Sequence, residues 1–181
     1  MSKAFSFPSH YNFPPFFTKQ PNRETNSTRV QLWKDLILNY CRHHRIFVID
    51  VRESLATSPL FCNEKISRKL RQDDANEIFH YMASGGYAEW YHQDGNKLLI
   101  YWKKPSEWAT LMYNWARDTG HLNAVLTFYE IQEGDISIGT DLHGIDPLIL
   151  EKSARVLEQQ GKVIIFSTEG GETSGIKFLE S

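Results

Sequence analysis

A chain that repeats itself is restricted to copies of one folding unit, and this sequence repeats at an offset of 75 positions. Trp33, Leu36, Ile37 and Tyr40 follow the i, i+3, i+4, i+7 spacing that lines up one face of a helix. Trp108, Leu111, Met112 and Trp115 repeat that spacing 75 residues later, again with an aromatic at each end. Gly86 and Gly161 stand the same distance apart. Each closes a helical stretch where a left-handed cap residue is needed, a conformation glycine adopts without strain. Each glycine is then followed by a hairpin pattern. The first has strands at 87–91 and 97–102 around a turn at 92–96; the second has strands at 162–167 and 175–179 around a turn at 168–174. A shared helix face, cap and hairpin at one offset points to duplication.

Each copy reads helix, short strand, helix, helix, hairpin. That order predicts an α+β fold of two tandem winged-helix domains, the hairpin being the wing. The expected organisation is an extended arm at 1–22, a first domain at 23–104 and a second at 105–181. In the first copy the opening helix reaches about Cys41, and 46–51 reads as a strand. A short helix is expected at 60–70 and a longer one at 72–84, with Ala75, Ile78, Phe79 and Met82 inward. In the second copy Pro105 suits a first helical position, and Thr127 with Glu130 spells a capping box. Asp146-Pro147 opens the third helix, with Leu150, Ala154 and Leu157 facing inward.

Charge divides the chain unevenly. Residues 1–104 carry 15 Lys/Arg against 10 Asp/Glu, whereas residues 105–181 carry 5 against 12, a net of −7. The two halves therefore suit different partners. No apolar run is long enough for a membrane span, and the start lacks the basic and apolar regions of a secretory signal. Cys41 and Cys62 are too few for a disulfide framework, and Cys41 reads as a small apolar filler. Asn26-Ser27-Thr28 matches a glycosylation sequon but reads as a loop before a helix.

Catalytic and metal motifs are missing. There is no H-E-x-x-H or C-x-x-C, and His43-His44 reads as a solvated loop. Gly170-Gly171-Glu172-Thr173-Ser174-Gly175 precedes a strand instead of a helix, so it is a wing tip and not a phosphate cradle. No catalytic residue, metal ligand or cofactor-binding residue is expected. Groove reading of DNA is also disfavoured. The segment 72–84 holds Asp73, Asp74 and Glu77 without any Lys or Arg, and 147–160 is balanced. A basic cluster at Lys65, Arg68, Lys69 and Arg71 keeps one alternative open, a winged-helix regulator that contacts nucleic acid through residues 65–71.

The first 22 residues are distinctive. Phe5-Ser6-Phe7-Pro8 leads to Tyr11, then Phe13-Pro14-Pro15-Phe16-Phe17, then Pro21. Prolines at this density oppose an α-helix and favour a polyproline-like course. Six aromatics within 5–17 are too apolar for a free tail. Either the arm completes its own domain's core, or it presents Phe7, Pro8, Phe13, Pro14, Pro15, Phe16 and Phe17 to another protein. The paired prolines are expected to hold the aromatics extended, away from the adjacent helix.

These residues carry a resemblance. Phe13-Pro14-Pro15-Phe16-Phe17-Thr18, Gln20-Pro21-Asn22, Trp33, Tyr40-Cys41-Arg42 and Ser58-Pro59-Leu60-Phe61 resemble the vacuolar protein sorting-associated protein 25 family, the small subunit of ESCRT-II. The likeness continues through Glu89-Trp90, Pro105-Ser106-Glu107-Trp108, Thr127-Phe128-Tyr129-Glu130 and Lys177-Phe178, in one order along the chain. The resemblance implies two winged helices and a non-catalytic scaffold that helps sort ubiquitinated membrane proteins into multivesicular bodies. It implies a cytoplasmic protein recruited peripherally to endosomal membranes, without membrane insertion, direct nucleic-acid binding or a cofactor. Two copies would join two larger winged-helix subunits through a P-P-x-aromatic motif, here Pro14, Pro15 and Phe17. Where some members carry a second such motif, this chain has Phe7-Pro8 without the paired prolines. The second domain would recruit an ESCRT-III subunit through that partner's basic helix.

Overall fold

Asn22 opens the first helix in the computed structural model, which describes residues 3–91 and 95–181. Its side chain accepts a hydrogen bond from the Thr25 N–H at 2.9 Å, satisfying one of the donors a helix start leaves unpaired. Helix α1 (Arg23–His44) buries Trp33, Leu36, Ile37 and Tyr40, as their spacing predicts. Because the cap sits at Asn22, the sequon lies inside α1 and not in a loop, with Asn26 itself buried. His43 and His44 likewise form the helix's last turn, and Arg45 ends it in the left-handed region at φ 52°.

Strand β1 (Val48–Asp50) leads into α2 (Val51–Thr57), capped by Asp50 accepting from the Glu53 N–H. The helix expected at 60–70 does not form. In its place β2 (Cys62–Asn63) pairs antiparallel with β3 (Arg68–Lys69) across a 3-10 turn at Glu64–Ile66. The Asn63 side chain accepts from the Lys65 N–H at 3.1 Å, and Ser67 turns left-handed at φ 53°. Such side-chain bonds offer the backbone an alternative to a helix. Helix α3 (Gln72–Ser84) falls where the periodicity places it, with Ala75, Ile78, Phe79 and Met82 fully buried. Strands β4 (Ala88–Trp90) and β5 (Lys97–Ile100) complete an antiparallel sheet of order β1-β5-β4. The turn expected at 92–96 includes 92–94, which lie outside the described residues.

The chain divides into two compact units, one up to Trp102 and one from Lys103. The second contains α4 (Pro105–Asp118), β6 (Val125–Thr127), α5 (Phe128–Gln132), α6 (Pro147–Gln159), β7 (Val163–Ser167) and β8 (Thr173–Phe178). Its sheet order, β6-β8-β7, repeats that of the first unit. Helix α6 lies 75 positions after α3 at both ends, from 72 to 147 and from 84 to 159. Gly86 and Gly161 both have positive φ, 75° and 71°, which explains glycine at both caps. The capping box is present: the Glu130 N–H donates to Thr127 Oγ1 at 3.0 Å, and the Thr127 N–H donates to Glu130 Oε2 at 2.7 Å. Asp146 caps α6 through the Leu148 and Ile149 N–H groups. Trp33 and Trp108, equivalent in the repeat, are buried at the centres of their units. The α+β element order and sheet are those of a winged helix, built twice.

Candidate docking site

The arm curls instead of running extended. Two 3-10 turns, Ser9–Asn12 and Pro14–Phe17, bend it, the second with prolines in its first positions. Proline tolerates that place because the N–H it lacks would have no partner there. The Phe16 N–H donates to the Phe13 carbonyl at 2.9 Å and closes the turn. The aromatics then fold back onto unit 1. Phe16 stacks on Trp33 with ring centroids 4.3 Å apart and planes within 5°. Phe17 meets the same indole edge-on at 5.3 Å, and only 1% of it is exposed. Phe7 stacks on Tyr11 at 4.0 Å. Phe5 packs against Tyr40, His43 and His44, the two histidines expected in a loop.

Polar groups lock this course. Trp33 Nε1 donates to the Phe16 carbonyl at 2.8 Å, and Asn63 Nδ2 donates to the Tyr11 carbonyl at 2.8 Å. The Tyr11 hydroxyl donates to the carbonyls of Pro59 and Cys62. Burial first, then the nearby Cys62 and Tyr40, push that hydroxyl's pKa up to about 12, so it stays a donor. Arg29 is only 4% exposed; its Nε donates to Asn26 Oδ1 at 3.1 Å and its Nη1 to the Phe16 carbonyl at 3.4 Å. Burial lowers the Arg29 pKa, while Asp74 and Glu77 act in the opposite direction and help hold the charge. Glu77 also pairs with Lys19 at 3.4 Å and accepts from Asn26. Much of α3's acidity is therefore internal: Glu77 is engaged in this network and Asp74 is buried.

What remains outside is a short ledge. Phe13 is 60% exposed, Pro15 is exposed and Pro14 half-buried. Phe7 and Pro8 are half-buried, and Phe16 and Phe17 lie in the core. Beside the ledge a cavity of ≈ 420 Å³ opens between arm and α1, lined by Phe13, Pro15, Phe16, Thr28 and Leu32 among others. His10 also lines it. Its Nε2 is buried without a partner, and burial lowers the His10 pKa below the ordinary 6.5. The turn thus divides the motif, with Phe16 and Phe17 fixing it and Phe13, Pro14 and Pro15 offering apolar surface. Sequence reasoning missed Arg29 and His10. The Asn26, Arg29, Trp33 spacing on one face of α1 was the available signal.

Unit 2 carries a second apolar surface that sequence reasoning also missed. Register places Val125, Lys177 and Ile164 in one row across the sheet, and Thr127, Gly175 and Phe166 in the next. Val125 is 60% exposed, Ile164 45% and Phe166 42%, with Tyr129 of α5 at 69%. The unbroken apolar run Val163-Ile164-Ile165-Phe166, lacking the alternation of a one-sided strand, was its signal. Grouped exposed side chains of this size mark interaction surfaces. Ser137 Oγ lies 2.9 Å from His143 Nδ1, yet Ser137 is wholly buried and its hydroxyl also donates to the Gly134 carbonyl. A nucleophile must reach its substrate, so the pair reads as packing. Burial pushes the Cys41 thiol up to about 12, which fits its role as filler. Among the described residues, no group of three His, Cys, Asp or Glu could hold a metal ion, and no helix is long and apolar enough to cross a membrane.

A duplicated α+β unit that leaves apolar side chains grouped on its surface has the features of the class of protein-binding modules. The family model described as ESCRT-II complex subunit matches residues 10–146, and the chain belongs to that family. It is 42% identical to a vacuolar protein-sorting-associated protein 25 of Dictyostelium discoideum over 98% of each chain, and 38% identical to that of Arabidopsis thaliana over 96% of each. Its fold matches a crystal structure of subunit VPS25 of the endosomal trafficking complex ESCRT-II with a TM-score of 0.85 at 28% identity, covering 95% of this chain and 98% of that one. A chain of the crystal structure of the endosomal complex ESCRT-II (VPS22/VPS25/VPS36) matches with a TM-score of 0.83 at 29% identity, covering 94% of this chain and 98% of that one.

Proposed function

We propose that this chain is a non-catalytic scaffold subunit of ESCRT-II in the sorting of ubiquitinated membrane proteins into multivesicular bodies. Its arm and first unit dock on two larger subunits equivalent to VPS22 and VPS36, two copies of the chain joining one of each. The protein is cytoplasmic and reaches endosomal membranes peripherally, through the complex. The observation that carries the docking reading is the rigid ledge of Phe13, Pro14 and Pro15 beside an open cavity. A preorganised turn loses little entropy on binding, so contact area converts efficiently into affinity. Phe7 and Pro8, half-buried next to the same arm, contribute at its edge, and Phe16 and Phe17 act by holding the ledge in place.

The second unit recruits an ESCRT-III subunit through that partner's basic helix. Two features support this: the net charge of −7 in residues 105–181 and the apolar outer face of the β6-β8-β7 sheet. An amphipathic basic helix offers both complements. Co-expression with the two larger subunits, followed by gel filtration and native mass measurement, tests the assembly. A complex holding two copies of this chain and one of each larger subunit is the expected result. Elution of this chain as a free monomer overturns it.

A further inference from the structure

The basic cluster near the start of α3 has no part in docking by the arm. Its folded geometry also departs from that of a solvated helix face. Arg52 of α2, Lys69 of β3 and Arg71 converge on a cavity of ≈ 520 Å³ between α2 and α3. Leu55, Ala56 and Leu70 also line it, the two leucines largely buried, so a cationic rim surrounds an apolar base. All three cations are exposed, and no ion pair among the described residues engages them. Asp73 lines the cavity without pairing to any of them.

Three like charges facing one cavity repel each other, and Arg71 adds a second penalty. It stands at the N-cap of α3 without a side-chain capping bond, at the positive end of the helix dipole where a cation is unfavourable. The arrangement does not serve the stability of the fold. It suits an anionic ligand that neutralises the rim while filling the apolar base.

We infer that this groove of unit 1 binds an acidic segment of a partner protein, with carboxylates on Arg52, Lys69 and Arg71 and one aliphatic side chain between Leu55 and Leu70. The cavity's volume lies in the range of sites that engulf a side chain or two. A membrane surface fits less well: a bilayer meets protruding apolar groups, and the large exposed apolar side chains of this unit, Phe13 and Tyr81, do not line the groove. Duplex nucleic acid fits less well because α3 carries no Lys or Arg to follow a phosphate backbone.

The test uses the full chain and a fluorescein-labelled peptide of about twelve residues, rich in Glu and Asp with one central Leu, read by anisotropy. Saturable binding is expected, weakening about tenfold or more in the Arg52→Gln/Lys69→Gln/Arg71→Gln variant and on raising NaCl from about 50 to 300 mM. A peptide with Gln at every acidic position is expected not to bind. Independently of any variant, amide NMR of the wild-type chain should show peptide-induced shifts at Leu70 and Gln72. Equal binding by the triple variant, equal binding of the Gln peptide, or shifts confined to other surfaces would each overturn the inference. So would displacement of the acidic peptide by duplex DNA or phosphatidylserine vesicles at lower anion concentration, which would reassign the groove to those ligands.

Discussion

Replacing Phe17 by Ala probes whether the arm is part of the fold. Phe17 is 1% exposed and lies against Trp33 at 5.3 Å, Tyr11 at 5.7 Å and Phe16 at 5.8 Å. Removing a fully buried phenyl ring forfeits its transfer free energy and leaves a void. Together these cost about 3–5 kcal/mol. The edge-to-face contact with Trp33 accounts for about 1 kcal/mol of that. Domain stabilities total about 5–15 kcal/mol, so the loss is a large fraction. In a unit of this size each 1 kcal/mol moves Tm by about 4–8 °C, which places the expected drop above ~12 °C. Phe13→Ala, at an exposed position, should stay within about 0.5 kcal/mol of the parent chain. Circular dichroism melts of the two variants beside the parent give the comparison. An unchanged melt for Phe17→Ala, or an equal drop for Phe13→Ala, would refute the view that Phe17 is core and Phe13 is ledge.

Residues 103–181 expressed alone should melt cooperatively, because the fragment keeps its own core and the contacts of Lys103 with Asp141 at 3.4 Å and with the Trp108 ring at 4.3 Å; a chemical-shift spectrum lacking dispersion would contradict this. Binding of unit 2 to a basic amphipathic helix should weaken as NaCl rises, and a salt-independent Kd measured by calorimetry would count against charge complementarity. The capping bonds to Thr127 hold the Glu130 carboxyl below its ordinary 4.5. Its contribution is therefore present above pH 4.5 and fades as pH falls from there through the lowered value. The stability gap between the parent and Glu130→Gln should close over that window in urea titrations, and a gap independent of pH would remove the capping box from the account.

Local signals were legible in the sequence and long-range ones were not. The bounds of α3, the Thr127–Glu130 box, the Asp146 cap and the paired glycines all depend on residues a few positions apart. The duplication carried them into the second unit without any knowledge of contacts. The segment 60–70 misled because Leu60, Phe61, Ile66 and Leu70 are apolar at spacings a helix also allows. Only the polar bonding of Asn63 and the left-handed Ser67 decide for a turn. The arm misled for a different reason. Proline content does argue against an α-helix, but a 3-10 turn accepts proline at its start, and the stacking of Phe16 on Trp33 spans 17 positions. The Arg29–Glu77 network likewise joins the arm's supporting helix to α3 across a distance that periodicity does not report. The outer face of the second sheet escaped notice because its apolar residues come from two strands, β6 and β7, which register brings together across β8.

In the proposed assembly Phe13, held outward on a turn anchored by Phe16 and Phe17, docks this chain on the larger ESCRT-II subunits. Calorimetric titration of those purified subunits with the parent chain and with Phe13→Ala measures it directly. An exposed aromatic that fills a partner pocket behaves as a binding hot spot, and its truncation costs about 2 kcal/mol or more. Kd should rise at least about tenfold while the melting temperature of the free chain stays where it was. An unchanged Kd for Phe13→Ala in a normally folded chain would contradict it.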